Sequence, residues 1–241
     1  RLVPGHPARP RPTEAPWTLL VDGPRRALLR PDGVRLELDF TAGRTAARSL
    51  EHGLARQPLA RALGVARLRR RLGRAPRVVD ATGGLGRDAW LTASLGCPVL
   101  LLERSPVVHA LLEAALARAA ASSRTADIAA RVTLRRADSI TALPHLDPAL
   151  ADVVYLDPMF PPLRRRAAVS KGMQFLHALL GPPETGPGLL AAALAAATRH
   201  VTVKRPAGAP PLDGDDTFEG QRSTIESPGT RYDIYLRAVP G

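Results

Sequence analysis

The chain has 241 residues, 45% of them hydrophobic, with 34 cationic against 22 acidic side chains and a net charge of +12. That length buries a full core and suits one large domain with a smaller appendage. No apolar run is long enough to span a bilayer, and a single cysteine, Cys97, excludes an internal disulfide and a cysteine-based zinc site. No secretory signal is visible, although the chain starts at Arg1, and a cytoplasmic enzyme is the expectation. The charge fits an RNA-binding surface or a merely solvated one. Lys171 and Lys204 are the only lysines, a profile that biased codon usage also produces.

Residues 1–15, rich in proline and arginine, read as a flexible arm. Residues 16–44 read as a small β subdomain, with strands at Trp17–Val21 and Val34–Phe40 and turns at Asp22-Gly23-Pro24 and Pro31-Asp32-Gly33. From Thr45 to about Leu72 the pattern is helical, broken near Gln57-Pro58. A regular alternation follows within a domain spanning 45–241. Strands are predicted at Arg77–Ala81, Val99–Glu103, Arg131–Ala137, Ala151–Asp157 and Val201–Lys204. Helices are predicted at Arg87–Leu95, Val107–Ala121 and Leu189–Thr198. Strands separated by helices imply an α/β, Rossmann-like, doubly wound and mostly parallel sheet. Arg222–Glu226 and Arg231–Val239 flank Ser227-Pro228-Gly229 and read as an antiparallel hairpin closing that sheet.

Two segments carry chemistry. In the first, a strand ending at Asp80 runs into Gly83, Gly84 and Gly86 before a helix, the usual entrance to a nucleotide-type cofactor pocket. Gly84-Leu85-Gly86-Arg87-Asp88-Ala89 resembles a nicotinamide fingerprint, whereas Asp80-x-Thr82-x-Gly84-x-Gly86 resembles an S-adenosylmethionine loop; a plain turn is the bland alternative. Glu103, closing the next strand, can accept both ribose hydroxyls of either cofactor. Asp138-Ser139 close the third strand, suiting a polar contact near an adenine amine or an ordinary helix cap.

In the second segment, Asp157-Pro158-Met159-Phe160 places a carboxylate, a proline without an N–H and an aromatic ring after an apolar strand. An exocyclic base amine is a poor nucleophile because its lone pair is delocalised into the ring. Acceptors on its N–H groups raise electron density on nitrogen, and Asp157 with the Pro158 carbonyl can supply them. Phe160 can stack on the base. The structural alternative is a strand-end loop with Phe160 in the core. Arg164, Arg165 and Arg166 follow directly, and Lys204 and Arg205 end another strand on the same rim; all five are candidate phosphate contacts. The histidines show no metal-ligand spacing, and no metal is expected.

These segments resemble the bacterial RsmJ family of small-subunit ribosomal RNA guanine-N2 methyltransferases. The likeness runs through Val78–Ala89, Leu102–Val108, Val154–Pro161, Val203–Pro206, Ala209–Leu212 and Arg231–Tyr235, over roughly residues 34–236. It implies S-adenosylmethionine as cofactor, contacted by Arg87, Asp88, Glu103, Arg104, Asp138, Ser139 and Asp157. It also implies small-subunit ribosomal RNA, or the small ribosomal subunit, as partner, with no membrane or metal. The family tends to have Ser-Ser where this chain has Asp138-Ser139. Its glycine-rich segment ahead of the first sheet strand appears here only as Gly53-Leu54-Ala55-Arg56. Two other readings stay open: a methyltransferase of this fold acting on a small molecule or a protein amide, and a non-catalytic RNA-binding protein.

Overall fold

A computed structural model describes residues 17–49, 53–158, 171–181, 188–210, 212 and 218–237. Two sheets are present among them. The smaller is antiparallel, β1 (Thr18–Asp22), β2 (Arg25–Leu29) and β3 (Arg35–Glu37), in the order β1-β2-β3. The larger has seven strands in the order β6-β5-β4-β7-β8-β10-β9. These are β4 (Val78–Asp80), β5 (Val99–Glu103), β6 (Val132–Arg136), β7 (Val153–Leu156), β8 (His200–Pro206), β9 (Arg222–Ser227) and β10 (Thr230–Leu236). β4 pairs in parallel with β5 and β7, β5 with β6, and β7 with β8. β10 pairs antiparallel with both β8 and β9, so the expected hairpin closes the sheet with its second strand on the inside.

The central strands are buried on both faces, as parallel strands between helical layers must be. In β7, Val154 and Leu156 pack with Val79, Val201 and Val203 under α9 (Leu189–Ala196). Val153 and Tyr155 point the other way, into a cluster with Leu59 and Leu63 of the α2 (Pro58–Ala62) region and Leu68 of α3 (Val65–Leu72). That alternation is the doubly wound architecture expressed in one strand. α4 (Arg87–Ser94) and α5 (Pro106–Ala120) complete the layer beside β5, with Trp90, Leu111 and Leu112 buried against Val99 and Leu101. Short helices α6 (Ala126–Ala129) and α7 (Ser139–Ala142) flank β6.

The small sheet shares this core. Leu28, Leu38 and Phe40 join the cluster around Trp90, and the Phe40 and Trp90 rings stack 4.7 Å apart. Arg118 of α5 donates to the Leu38 carbonyl. Three sequence expectations change. β2 lies where only turns and linking residues were expected, and β3 is shorter than Val34–Phe40 because Leu38 and Phe40 leave the ladder for the core. The helical stretch from Thr45 breaks into α1 (Gly43–Ser49), a 3-10 turn at Leu54–Arg56, α2 and α3. Gly64 in a left-handed conformation separates the last two. Third, α8 (Lys171–Leu180) was not anticipated; its Phe175 sits edge-on to Trp17 at 5.1 Å. Residues 1–15, expected as a flexible arm, lie outside the described residues.

Candidate functional site

In a parallel sheet, ligands bind beyond the carboxyl ends of the strands. A cavity of about 530 Å³ lies there, lined by the ends of β4, β5 and β7, the glycine turn, α7 and side chains from α8 and α9. It gathers Asp80, Gly84, Gly86, Arg87, Asp88, Glu103, Arg104, Asp138, Ser139, Asp157, Pro158 and Lys204.

The turn after β4 is shaped by its glycines. Gly86, with φ +67°, has no room for a Cβ, which would sit 2.6 Å from Leu112 Cδ2 and 3.1 Å from the Phe40 ring. Gly84, at φ +51°, faces open space, its nearest neighbours being 3.7 Å or more from a Cβ, so a ligand can approach its backbone. Asp80 is buried and accepts from the Thr82 N–H at 3.1 Å and its hydroxyl at 3.4 Å. Burial pushes the Asp80 carboxyl up to about 8. Thr82 in turn accepts from the Asp157 N–H at 2.6 Å, tying the glycine turn to the end of β7.

Glu103 is 7% exposed at the end of β5. Its Oε2 accepts from Gly84 N–H at 2.8 Å and Oε1 from Ser105 N–H at 2.7 Å, which fixes the carboxylate's orientation and leaves further lone pairs for ribose hydroxyls. Burial raises its pKa, opposed by those N–H bonds. Asp138 proves to be the N-cap of α7, accepting from Ile140 N–H at 2.9 Å and Thr141 N–H at 3.4 Å, with Arg104 at 4.0 Å. Ser139 donates to the Ala81 carbonyl at 2.6 Å. Both line the cavity, and the cap and the lining role coexist. Leu102, Ile140, Leu176 and Leu180 supply apolar walls suited to a flat purine.

At the other end, Lys204 corrects one expectation. Its Nζ donates to Asp88 Oδ2 at 2.7 Å and to Asp157 Oδ2 at 2.8 Å. It is the shared counter-charge of two site carboxylates, and not a surface phosphate contact. Tyr155 donates its hydroxyl to the same Asp88 oxygen at 2.6 Å. Burial alone would lower the Lys204 pKa, but the two carboxylates outweigh it and hold the ammonium firmly protonated. Burial raises Asp88, and the Lys204 charge with its hydrogen bonds more than reverses that, leaving Asp88 below the usual carboxylate range. Asp157 stays above that range: removal from bulk water and the Asp88 charge outweigh the pull of Lys204. Arg205 is the second correction. It is 1% exposed, with Nε 3.7 Å from Asp233 Oδ2, so it belongs to the sheet interior and is not available to phosphate. Phe160, Arg164, Arg165 and Arg166 lie outside the described residues.

Tyr155 and Thr82 are the site residues that sequence reasoning passed over. Tyr155 reads as one more apolar strand position, and Thr82 as a glycine substitute; only their partners reveal them.

The family described as "Putative SAM-dependent methyltransferase" matches residues 17–237. A ribosomal RNA small subunit methyltransferase J of Thioalkalivibrio sulfidiphilus is 43% identical over 227 residues, covering 92% of this chain and 85% of its own. The chain belongs to the methyltransferase J family. A relative of the same name from Pseudomonas fluorescens SBW25 is 42% identical over 200 residues, covering 83% of this chain and 74% of its own. The crystal structure of a SAM-dependent methyltransferase from Neisseria gonorrhoeae superimposes with a TM-score of 0.70 at 31% identity, covering 94% of this chain and 85% of that one. The cofactor of this methyltransferase is S-adenosylmethionine, which decides between the two readings of the glycine turn. The residues fit it: Glu103 is oriented for a ribose, the Gly84 backbone is open, and apolar walls flank α7.

Proposed function

We propose that this enzyme methylates the exocyclic N2 of a guanine in small-subunit ribosomal RNA, with Asp157 and the Pro158 carbonyl gripping the amine. The observation that carries the reading is the Asp157–Lys204–Asp88 arrangement at the mouth of the cofactor cavity. S-adenosylmethionine supplies an electrophilic methyl group when bound. Lys204 holds Asp157 Oδ2, and among the described residues no donor engages Oδ1, which is left to accept an amine N–H. Pro158, buried and without an N–H, adds a carbonyl acceptor that cannot be diverted into donation. The two acceptors orient the amine lone pair and stabilise the positive charge that develops on nitrogen, so positioning and fixed dipoles do most of the catalytic work.

The raised pKa of Asp157 makes it a better resting place for the departing amine proton than an ordinary exposed carboxylate. Lys204 opposes that rise. The relatives' names supply the RNA, and guanine N2 rests on the likeness of the Asp157–Phe160 segment to its family. An enzyme of ribosomal RNA works in the cytoplasm, where ribosomes are made; no described helix is long and apolar enough to cross a membrane.

The test is to incubate the protein with radiolabelled S-adenosylmethionine and undermethylated small-subunit RNA, free and assembled, then digest and identify the nucleoside. Labelled N2-methylguanosine is expected. Asp157→Ala should lower kcat by about 10²-fold or more while cofactor affinity changes far less. Unaltered turnover would remove Asp157 from the mechanism, and label in a different nucleoside would remove guanine N2.

A further inference from the structure

With Lys204 committed to the site and Arg205 to the core, the question of where an RNA strand is held beyond its reacting base is open again. The charge is not spread evenly. Between Glu51 and Asp80 the chain carries eight arginines and none of its 22 acidic residues, so two thirds of the net charge of +12 comes from that one stretch. Biased codon usage would enrich arginine everywhere; it would not clear acids from one segment. Three of the eight hold the fold together: Arg69 donates to the Leu95 carbonyl at 2.8 Å, Arg74 pairs with Asp152 at 2.6 Å, and Arg77 donates to the Ala149 carbonyl at 2.5 Å. The other five, Arg56, Arg61, Arg67, Arg70 and Arg71, are exposed, and none pairs with a carboxylate among the described residues.

Helix geometry sorts them further. α3 buries Val65 and Leu68 against the sheet. Arg67, Arg70 and Arg71 stand at i, i+3 and i+4, hence side by side on one outer face. The face lies at the amino edge of the sheet, where Arg69 reaches the Leu95 carbonyl at the end of α4, Arg74 pairs with Asp152 just before β7, and Gly64 sits against His200 at the start of β8. Arg48 of α1 lines the cavity and donates through Nε and Nη2 to Gln57 Oε1, at 3.0 and 2.6 Å, and Gln57 is the N-cap of α2. α2 therefore leads from the cavity rim at Gln57 to α3 at the opposite edge of the sheet.

Resting on the RNA reading above, we infer that the outer face of α3, carrying Arg67, Arg70 and Arg71, is a surface that holds the phosphate backbone of the RNA substrate away from the target base. Eight residues of helix span about 12 Å, enough for about three phosphates of one strand. Guanidinium forks suit phosphate oxygens, and α3 carries no acid of its own to compete for them. Because these contacts lie outside the cavity, they add affinity for RNA without touching the chemical step.

The experiment measures binding of undermethylated small-subunit RNA across a salt series for wild type, for R67Q/R70Q/R71Q and for R67K/R70K/R71K, alongside S-adenosylmethionine binding and kcat. Glutamine keeps helix propensity, so the fold should survive, and unchanged cofactor affinity verifies it. The glutamine variant should bind RNA roughly tenfold or more weakly at low salt. Its log–log salt slope should shrink by about two, with KM for RNA raised and kcat near wild type. The lysine variant should retain most of the affinity. Equal affinity and slope in wild type and the glutamine variant would overturn the surface, as would a lysine variant as weak as the glutamine one. A wild type that methylates no RNA would instead overturn the function, and the surface with it.

Discussion

At the scale of single residues, the site is governed by one ammonium serving two carboxylates. Lys204 lies 2.7 Å from Asp88 and 2.8 Å from Asp157, and Tyr155 fixes Asp88 from behind. Lys204 lowers the Asp157 pKa while Asp88 raises it. Removing the cation leaves two like charges facing each other, so the Asp157 pKa climbs further. Lys204→Met should therefore shift the acidic limb of the kcat–pH profile to higher pH and lower kcat at neutrality, with partial recovery as pH rises. A limb that stays in place would show that Lys204 serves packing alone. Nothing in the sequence pairs these residues: Lys204 and Asp88 are 116 positions apart, and each reads as an ordinary charge at the end of a strand or the start of a helix. Asp157 and Glu103 were legible because strand-end carboxylates in this fold have few other reasons to be there.

At the scale of elements, the turn between β4 and α4 lines the candidate cofactor cavity and is clamped by Leu112 of α5 and by Phe40, three residues beyond β3. Gly86 and Gly84 make different demands on it. Gly86→Ala places a methyl 2.6 Å from Leu112 Cδ2 in a left-handed backbone, costing about 2–5 kcal/mol of stability, or roughly 5–15 °C in Tm. Gly84→Ala meets nothing closer than 3.7 Å and carries only the backbone cost of about 1–2 kcal/mol, while its methyl enters the cavity. Thermal melts and cofactor titrations separate the two: the first should lose mainly stability, the second mainly cofactor affinity. Equal Tm losses would refute the packing argument. The elements hardest to read were those whose pattern is set by neighbours. β2, Arg-Arg-Ala-Leu-Leu, has no alternation of its own and becomes a strand because β1 and β3 pair on either side of it. The parallel strands were readable because burial on both faces leaves an unbroken apolar run such as Val153–Leu156.

At the scale of the whole molecule, one buried acid contributes a distinct part of how stability answers pH. Burial raises Asp80 from 3.8 to about 8, so between those values the folded protein holds a proton that the unfolded chain has lost. Stability contributed by that proton is full below about pH 4 and is lost as pH rises towards about 8, by about 1.4 kcal/mol per unit of displaced pKa. Asp80→Asn keeps an acceptor for Thr82 and abolishes the titration, so its Tm should fall less than wild type's over the same range. Parallel Tm–pH curves would mean that Asp80 is ionised in the fold. The sequence conveyed the layer order and the cofactor end of the sheet, since both follow from strand and helix alternation. It did not convey that the small N-terminal sheet shares the main core, because Leu28, Leu38 and Phe40 read equally well as the core of a separate unit.

The order of strands also has a bearing on when this enzyme comes into being. β10 lies between β8 and β9, with Tyr232 directly opposite Lys204, so β9 has no place in the sheet until β10 arrives. Synthesis runs from N- to C-terminus, and β4, β5, β6 and β7 can pair as they emerge. The strand bearing the ammonium meanwhile has an open edge, waiting for the last strand made. A nascent chain can thus own most of the cavity before the strand carrying Lys204 is secured. Securing the Lys204 end of the cavity is a late event in the birth of the molecule, set by topology and not by the chemistry of the site.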